Sequence, residues 1–131
     1  MNAVGPALVL KHFVPLLPRR GRSVVAALSA RVGSIGDNRL GGWYGYRASK
    51  AALNQLLRTA AVELARTHPE AVCVALHPGT VATRLSAPHG KAGLRVRTPD
   101  QAAADLLAVL DGLTPAHTGG FFDADGRAVP W

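Results

Sequence analysis

The chain has 131 residues, 48% of them hydrophobic and 18% charged, with a formal net charge of +7; that suits one globular domain with a core and excludes both a two-domain protein and a disordered one. No window is long and apolar enough to span a bilayer, and the apolar opening Met1 to Leu17 carries Lys11 and His12 in its middle with basic residues after it, the wrong order for a secretory leader, so the reading is cytoplasmic. The positive charge does not point to nucleic acid, because the basic residues are scattered, only Arg19, Arg20 and Arg22 cluster, and no aromatic residues interleave with them for base stacking.

In chain order, Val4, Leu8, Phe13, Leu16 and Leu17 fall on one helical stripe that ends at Pro18 and the Arg19 to Arg22 turn. Val24 to Leu28 is a continuous apolar run, the pattern of a strand buried on both faces of a parallel sheet. A glycine-rich, polar loop follows from Ala30 to Trp43. Leu53, Leu56, Leu57, Ala60 and Leu64 then recur at helical spacing until His68-Pro69 stops the helix. Val72 to Leu76 is a second buried strand, broken by Pro78-Gly79. Thr98-Pro99-Asp100-Gln101 has the form of a capping box opening a helix that ends near Gly112. Gly119 to Asp123 gives a last short strand before an Asp125-Gly126 turn. Helix, strand, helix, strand, helix, strand is the order of α/β units around a parallel sheet.

Tyr46 and Lys50 stand four apart at the start of the long helix and share one of its faces. A free tyrosine titrates near pH ~10, too high for proton transfer at neutrality, and an ammonium beside it lowers that value toward the range useful to a general acid/base. The same spacing also occurs as a plain surface pair. Cys73 cannot form an internal disulfide and lies in an apolar run as a small buried hydrophobe. The histidines, His12, His68, His77, His89 and His117, have no metal-ligand spacing, so no metal is assigned.

Five features in sequence give these residues a context: Asn2 in the first helix, Leu28-Ser29 closing the first strand, Tyr46-x-x-x-Lys50, Pro78-Gly79-Thr80-Val81-x-Thr83 after the second strand, and the glycine-rich final strand. Together they resemble the C-terminal part of the short-chain dehydrogenase/reductase family. The stretches Ser29 to Asn38, Gly41 to Asn54 and Gly119 to Trp131 are similar to its C-factor and Sniffer-type carbonyl reductase branch. The resemblance implies a partial Rossmann-like three-layer α/β domain over residues 1–131, with about three parallel strands, flanking helices and the first half of the fold missing. It implies an NAD(P)-dependent oxidoreductase acting on a small carbonyl or alcohol substrate, with NADP or NAD as coenzyme. Tyr46 would pass the proton, Lys50 would lower its pKa and bind the nicotinamide ribose, and Asn2 would support a water relay to the lysine. Pro78, Gly79, Val81 and Thr83 would face the nicotinamide and the phosphates. The family's second strand-end serine is replaced by Ala30, leaving Ser34 and Ser29 as candidates; Ser34 is preferred because the loop could fold it back toward Tyr46.

A nicotinamide coenzyme also needs a glycine-rich strand-to-helix turn for its pyrophosphate, and none occurs in these residues. The alternative reading is therefore a catalytically silent truncated fragment with at most an interaction role. In either case the Val24 to Leu28 strand should present a bare apolar edge, with self-association into a homo-oligomer as one consequence. The Leu85 to Arg97 segment, with Pro88, Gly90 and Gly93, is expected to form a mobile substrate lid.

Overall fold

The computed structural model describes residues 1–83 and 93–131. Helix α1 (Val4–Phe13) continues as a 3-10 turn over Val14–Leu16 and leads into strand β1 (Ser23–Leu28). After a 3-10 turn at Arg31–Gly33 come the long helix α2 (Tyr44–Thr67) and strand β2 (Ala71–His77). Two-residue strands β3 (Thr80–Val81) and β4 (Val96–Arg97) precede helix α3 (Pro99–Gly112), a 3-10 turn at Pro115–His117 and strand β5 (Phe121–Asp123).

The expected α/β architecture is present. Strands β1, β2 and β5 form a parallel sheet in the order β1-β2-β5, with Ser23 to Leu28 in register with Ala71 to Leu76 and Ala75 to His77 opposite Phe121 to Asp123. The alternation of side chains across β2 divides the core in two. Cys73 and Ala75 pack with Leu53, Leu57, Ala61 and Leu64 of α2 and with Phe121, while Val72, Val74 and Leu76 pack with Leu106 of α3, Leu113 and Phe122. Because β2 is covered on both faces, its sequence is continuously apolar rather than alternating. Trp131 stacks on Phe121 with ring centroids 5.5 Å apart, closing the α2 side of the core.

The two edges of the sheet are treated differently. The chain returns along β5, where Phe122 bridges Ala128 antiparallel and Val129 N–H donates to the Phe121 carbonyl at 2.8 Å. Strand β1 gains no such cover among the described residues. Ser29 N–H donates to the Leu76 carbonyl at 2.7 Å, so the backbone groups of the preceding Leu28 point away from β2. Leu28 is 57% exposed, and Val4, Leu8, Val9, Phe13 and Leu16 of α1 and its 3-10 extension are exposed as well. The bare apolar edge expected of β1 is therefore a feature of the molecule.

The Thr98 capping box forms as expected: Gln101 N–H donates to Thr98 Oγ1 at 3.2 Å and Thr98 N–H to Gln101 Oε1 at 3.0 Å. Other expectations need correction. The first α-helix stops at Phe13, because Pro15 has no N–H to continue the ladder, and a 3-10 turn carries the chain onward. The segment after Pro78-Gly79 is not simply loop, since β3 pairs parallel with β4. That pairing bears on the proposed lid. Pro88 and Gly90 lie outside the described residues, but the segment's far end is a buried anchor. The Arg97 side chain is 7% exposed, with Nε 2.7 Å from Asp105 Oδ2 and Nη2 2.5 Å from Asp125 Oδ1.

Cys73 sits at the centre of β2 with no exposure, its Sγ 3.6 Å from the Leu57 carbonyl, and burial pushes its thiol pKa up to about 11. A soluble disulfide reagent at pH ~8 should label it only at the rate of unfolding, and fully once denaturant is added. Rapid labelling of the native chain would contradict this packing.

Candidate active site

The site is assembled at the carboxyl ends of the parallel strands, where open α/β sheets place their ligands. Three consecutive left-handed residues, Gly41, Gly42 and Trp43, with φ of 64°, 71° and 50°, turn the chain into α2. Arg47 holds that turn from within the helix: its guanidinium donates to the carbonyls of Gly42 (2.9 Å), Gly41 (2.9 Å) and Val32 (3.1 Å). Behind it, Gly33 lies so close to α2 that a Cβ there would sit 2.6 Å from Lys50 Cβ, so only glycine allows the loop to seat against the helix.

Tyr46 and Lys50 occupy the first turns of α2, and their environments differ from the sequence expectation. The Lys50 ammonium donates to the Leu28 carbonyl at 2.9 Å, at the open edge of β1. Partial burial lowers the Lys50 pKa and raises that of Tyr46, which is 43% exposed. The expected lowering of the phenol by its neighbour is thus not present in this arrangement: desolvation is what moves Tyr46, and it moves it upward.

Asn2 reaches the same helix by a different route from the one anticipated. Its Nδ2 donates to Ser49 Oγ at 3.2 Å, and Ser49 Oγ donates to the Tyr46 carbonyl at 2.9 Å. Ala3, not Asn2, is the N-cap of α1. Ser34 is 2% exposed, and its hydroxyl donates to the Pro130 carbonyl while accepting the Asp37 N–H at 3.0 Å. Ser29 is also buried and donates to Asn54 Oδ1 at 2.5 Å. Both candidate hydroxyls are therefore engaged within the loop and the helix, so the preference for Ser34 as a group folded back to Tyr46 is not met by its contacts.

Pro78 and Gly79 follow the end of β2. Gly79 has φ +74°, and a Cβ on it would lie 2.8 Å from Arg97 Nη1. Val81 is in β3, Ala82 N–H donates to the Arg97 carbonyl at 2.9 Å, and Thr83 is exposed just beyond. Arg97 thus ties the Pro78 to Thr83 segment to α3 and to the β5 turn through its two carboxylates. The adjacent His77 Nδ1 is buried with no hydrogen-bond partner. Burial, then Arg31 and Arg97 against the opposing Asp123, hold its pKa below the usual histidine range.

Sequence reasoning missed the Leu28 carbonyl, Ser49, Arg47 and Arg97. Only Ser49 had a local signal, its i, i+3 relation to Tyr46; the other contacts join residues distant in sequence or use backbone oxygens.

Comparison with known proteins agrees with this geometry. Residues 1–93 match the family model described as short chain dehydrogenase. The chain is 41% identical over 132 residues to C-signal of Myxococcus xanthus, spanning 100% of this chain and 75% of that protein. It is 39% identical over 131 residues to 1-hydroxy-2-glutathionyl-2-methyl-3-butene dehydrogenase of a Rhodococcus species, covering 56% of it. Among solved structures, carbonyl reductase Sniffer of D. melanogaster superposes with a TM-score of 0.84 at 28% identity over 99% of this chain and 54% of its own. The NADPH-bound carbonyl reductase from chicken fatty liver gives 0.83 at 31% identity, also over 54% of its chain. Apart from C-signal, this chain spans a little over half the length of these proteins.

With Lys50 held by Leu28, Tyr46 should ionise above the ordinary tyrosine range, near pH ~10. Because folding disfavours its phenolate, the neutral phenol's contribution to stability is present below the unfolded pKa and is lost as pH rises through the raised folded value. The ultraviolet titration difference between wild type and Y46F measures this, and a midpoint below ~10 would show that Lys50 already acts on the phenol.

Proposed function

The chain belongs to the short-chain dehydrogenase family, and from that membership we propose that it carries the proton-transfer side of an NAD(P)-dependent oxidoreductase interconverting a small carbonyl compound and its alcohol. The observation that carries the reading is the placement of Tyr46 and Lys50 one helical turn apart at the carboxyl end of the sheet, with the Lys50 ammonium at the strand-end carbonyl of Leu28.

In this reading Tyr46 donates its phenolic proton to the substrate oxygen during reduction and takes it back during oxidation. Lys50 supports that transfer by leaving the Leu28 carbonyl for a position where its charge favours the phenolate. Asn2, through Ser49, fixes the first turn of α2 and hence the tyrosine backbone. Ser34 and Ser29 act as anchors of the loop, or as substrate contacts once their present acceptors, Pro130 and Asn54, are exchanged.

The donor set suits the nicotinamide half of a coenzyme. A phenol, an ammonium and the Thr83 hydroxyl stand around the sheet's carboxyl ends, beside a Pro78-Gly79 turn whose backbone needs glycine. Tyr46 and Lys50 would hold the ribose, and Pro78, Gly79, Val81 and Thr83 the nicotinamide side. The coenzyme, when bound, supplies or accepts the hydride. NADPH in the chicken carbonyl reductase supports NADP as one candidate, with NAD the other. A cytoplasmic site fits a chain in which no described helix is long and apolar enough to cross a membrane, and the apolar face of α1 supports self-association.

A second reading follows from the same lysine. While Lys50 serves the Leu28 carbonyl, Tyr46 is not activated, so residues 1–131 taken alone are catalytically silent.

Reduction of an aldehyde, followed through NADPH absorbance, should fall about 10²- to 10⁴-fold in Y46F. Equal turnover by both forms overturns the assignment. Absence of turnover and of NADPH binding, the latter read from coenzyme fluorescence, is the result expected of the silent reading.

A further inference from the structure

We propose that Trp43 is a specificity-determining residue, an aromatic wall set beside Tyr46 that favours aromatic carbonyl substrates over small aliphatic ones. This rests on the oxidoreductase reading of Tyr46 and adds to it the class of substrate.

The first ground is backbone strain. Trp43 is the only non-glycine among the described residues with a positive φ, at φ 50° and ψ 41°. A side chain there is disfavoured by contact between its Cβ and the following carbonyl, and a bulky one has no local hydrogen bond to offset this. Glycine occupies the two preceding left-handed positions, Gly41 and Gly42, so the exception at position 43 concerns the indole. Strain of this kind persists only where the surroundings over-determine it. Here they do. Arg47 grips the carbonyls of Gly41, Gly42 and Val32, Asn38 Oδ1 accepts the Gly41 N–H at 3.1 Å, and the Trp43 carbonyl accepts the Arg47 N–H at 2.9 Å.

The second ground is position and exposure. Trp43 is the N-cap residue of α2 and Tyr46 lies three residues on, one helical turn away. The indole is not placed in the core: Trp43 is 59% exposed, and Ile35, Leu40 and Tyr44 in the same approach to the helix are more exposed still. A large aromatic group held in a costly conformation, outside both core clusters and one turn from the proton donor, is suited to stacking against a flat apolar substrate. Arg47 is then a positioning residue, acting through the turn it holds.

The test compares benzaldehyde with propanal, each with NADPH, in wild type, W43G and Arg47→Met, with Y46F as the reference for the underlying reading. W43G should melt no lower than wild type, because glycine accepts the left-handed conformation. Its kcat/KM ratio for benzaldehyde over propanal should fall roughly three- to tenfold, the range of a lost aromatic contact, and Arg47→Met should shift the ratio in the same direction. An unchanged ratio in W43G, while Y46F abolishes turnover, overturns the inference and leaves the oxidoreductase reading intact. A readout without turnover comes from Trp43 emission in a W131F background, titrated with benzaldehyde. Saturable quenching with no turnover in any form keeps the aromatic wall and removes the reading. Quenching that rises linearly without saturation is collisional and overturns the wall.

Discussion

Everything in this molecule hangs from the seating of α2 across the sheet. The helix runs for 24 residues, about 36 Å at 1.5 Å per residue, which is longer than the strands it covers. Its middle carries Leu53, Leu57, Ala61 and Leu64 against Cys73, Ala75 and Phe121, and those contacts exclude water completely at Cys73 and Ala75. Because the buried stripe begins at Leu53, the turns before it project past the strand ends. Tyr46 and Lys50 stand on that projection. Any change that tilts the Leu53 to Leu64 face moves both groups together, so the packing of the core and the geometry of the site are one constraint. Gly33 tightens it further, since its contact with the Lys50 stem leaves no room for a side chain between loop and helix.

The open edge of β1 couples to the site through a single backbone oxygen. A strand edge left unpaired exposes carbonyls that require partners. At β5 the chain's own return supplies them; at the end of β1 the partner of Leu28 is the ammonium of Lys50. One side chain thus has two claims on it, the strand edge and the phenol one helical turn away. The raised pKa of Tyr46 records which claim prevails here, because a phenol close to an ammonium would be moved the other way. Edge pairing and acid/base activation are accordingly linked: whatever else satisfies the Leu28 carbonyl frees Lys50.

Much of this was legible in the sequence, and the boundary is physical. The continuous apolar run Val72 to Leu76 announced a strand covered on both faces, and Thr98-x-x-Gln101 announced its capping box, because both signals are local. The Tyr46 and Lys50 pair was visible as helical spacing. Strands β3 and β4 were not, since two residues are too few to show a period. The fate of Ser34 was equally hidden: its acceptor is the carbonyl of Pro130, 96 residues away. Arg47 and Lys50 spend their donors on backbone oxygens, which every residue carries and no sequence pattern marks.

The two cations that organise the carboxyl ends of the strands illustrate how burial and partner together decide what a charge can do. Arg97 is almost wholly enclosed and is bonded to Asp105 and Asp125, a planar guanidinium matched by two carboxylates. Removing either acid would leave a buried charge uncompensated, a strongly unfavourable state, so this cation is fixed and structural. Lys50 is only partly enclosed, and its partner is a neutral carbonyl. Its charge is therefore solvated by a dipole and not balanced by an acid among the described residues. Exchanging that dipole for a hydroxyl or an anion leaves no buried ion behind, so the exchange costs little. The same fold thus immobilises one cation to hold the Pro78 to Thr83 turn and keeps the other available to a ligand.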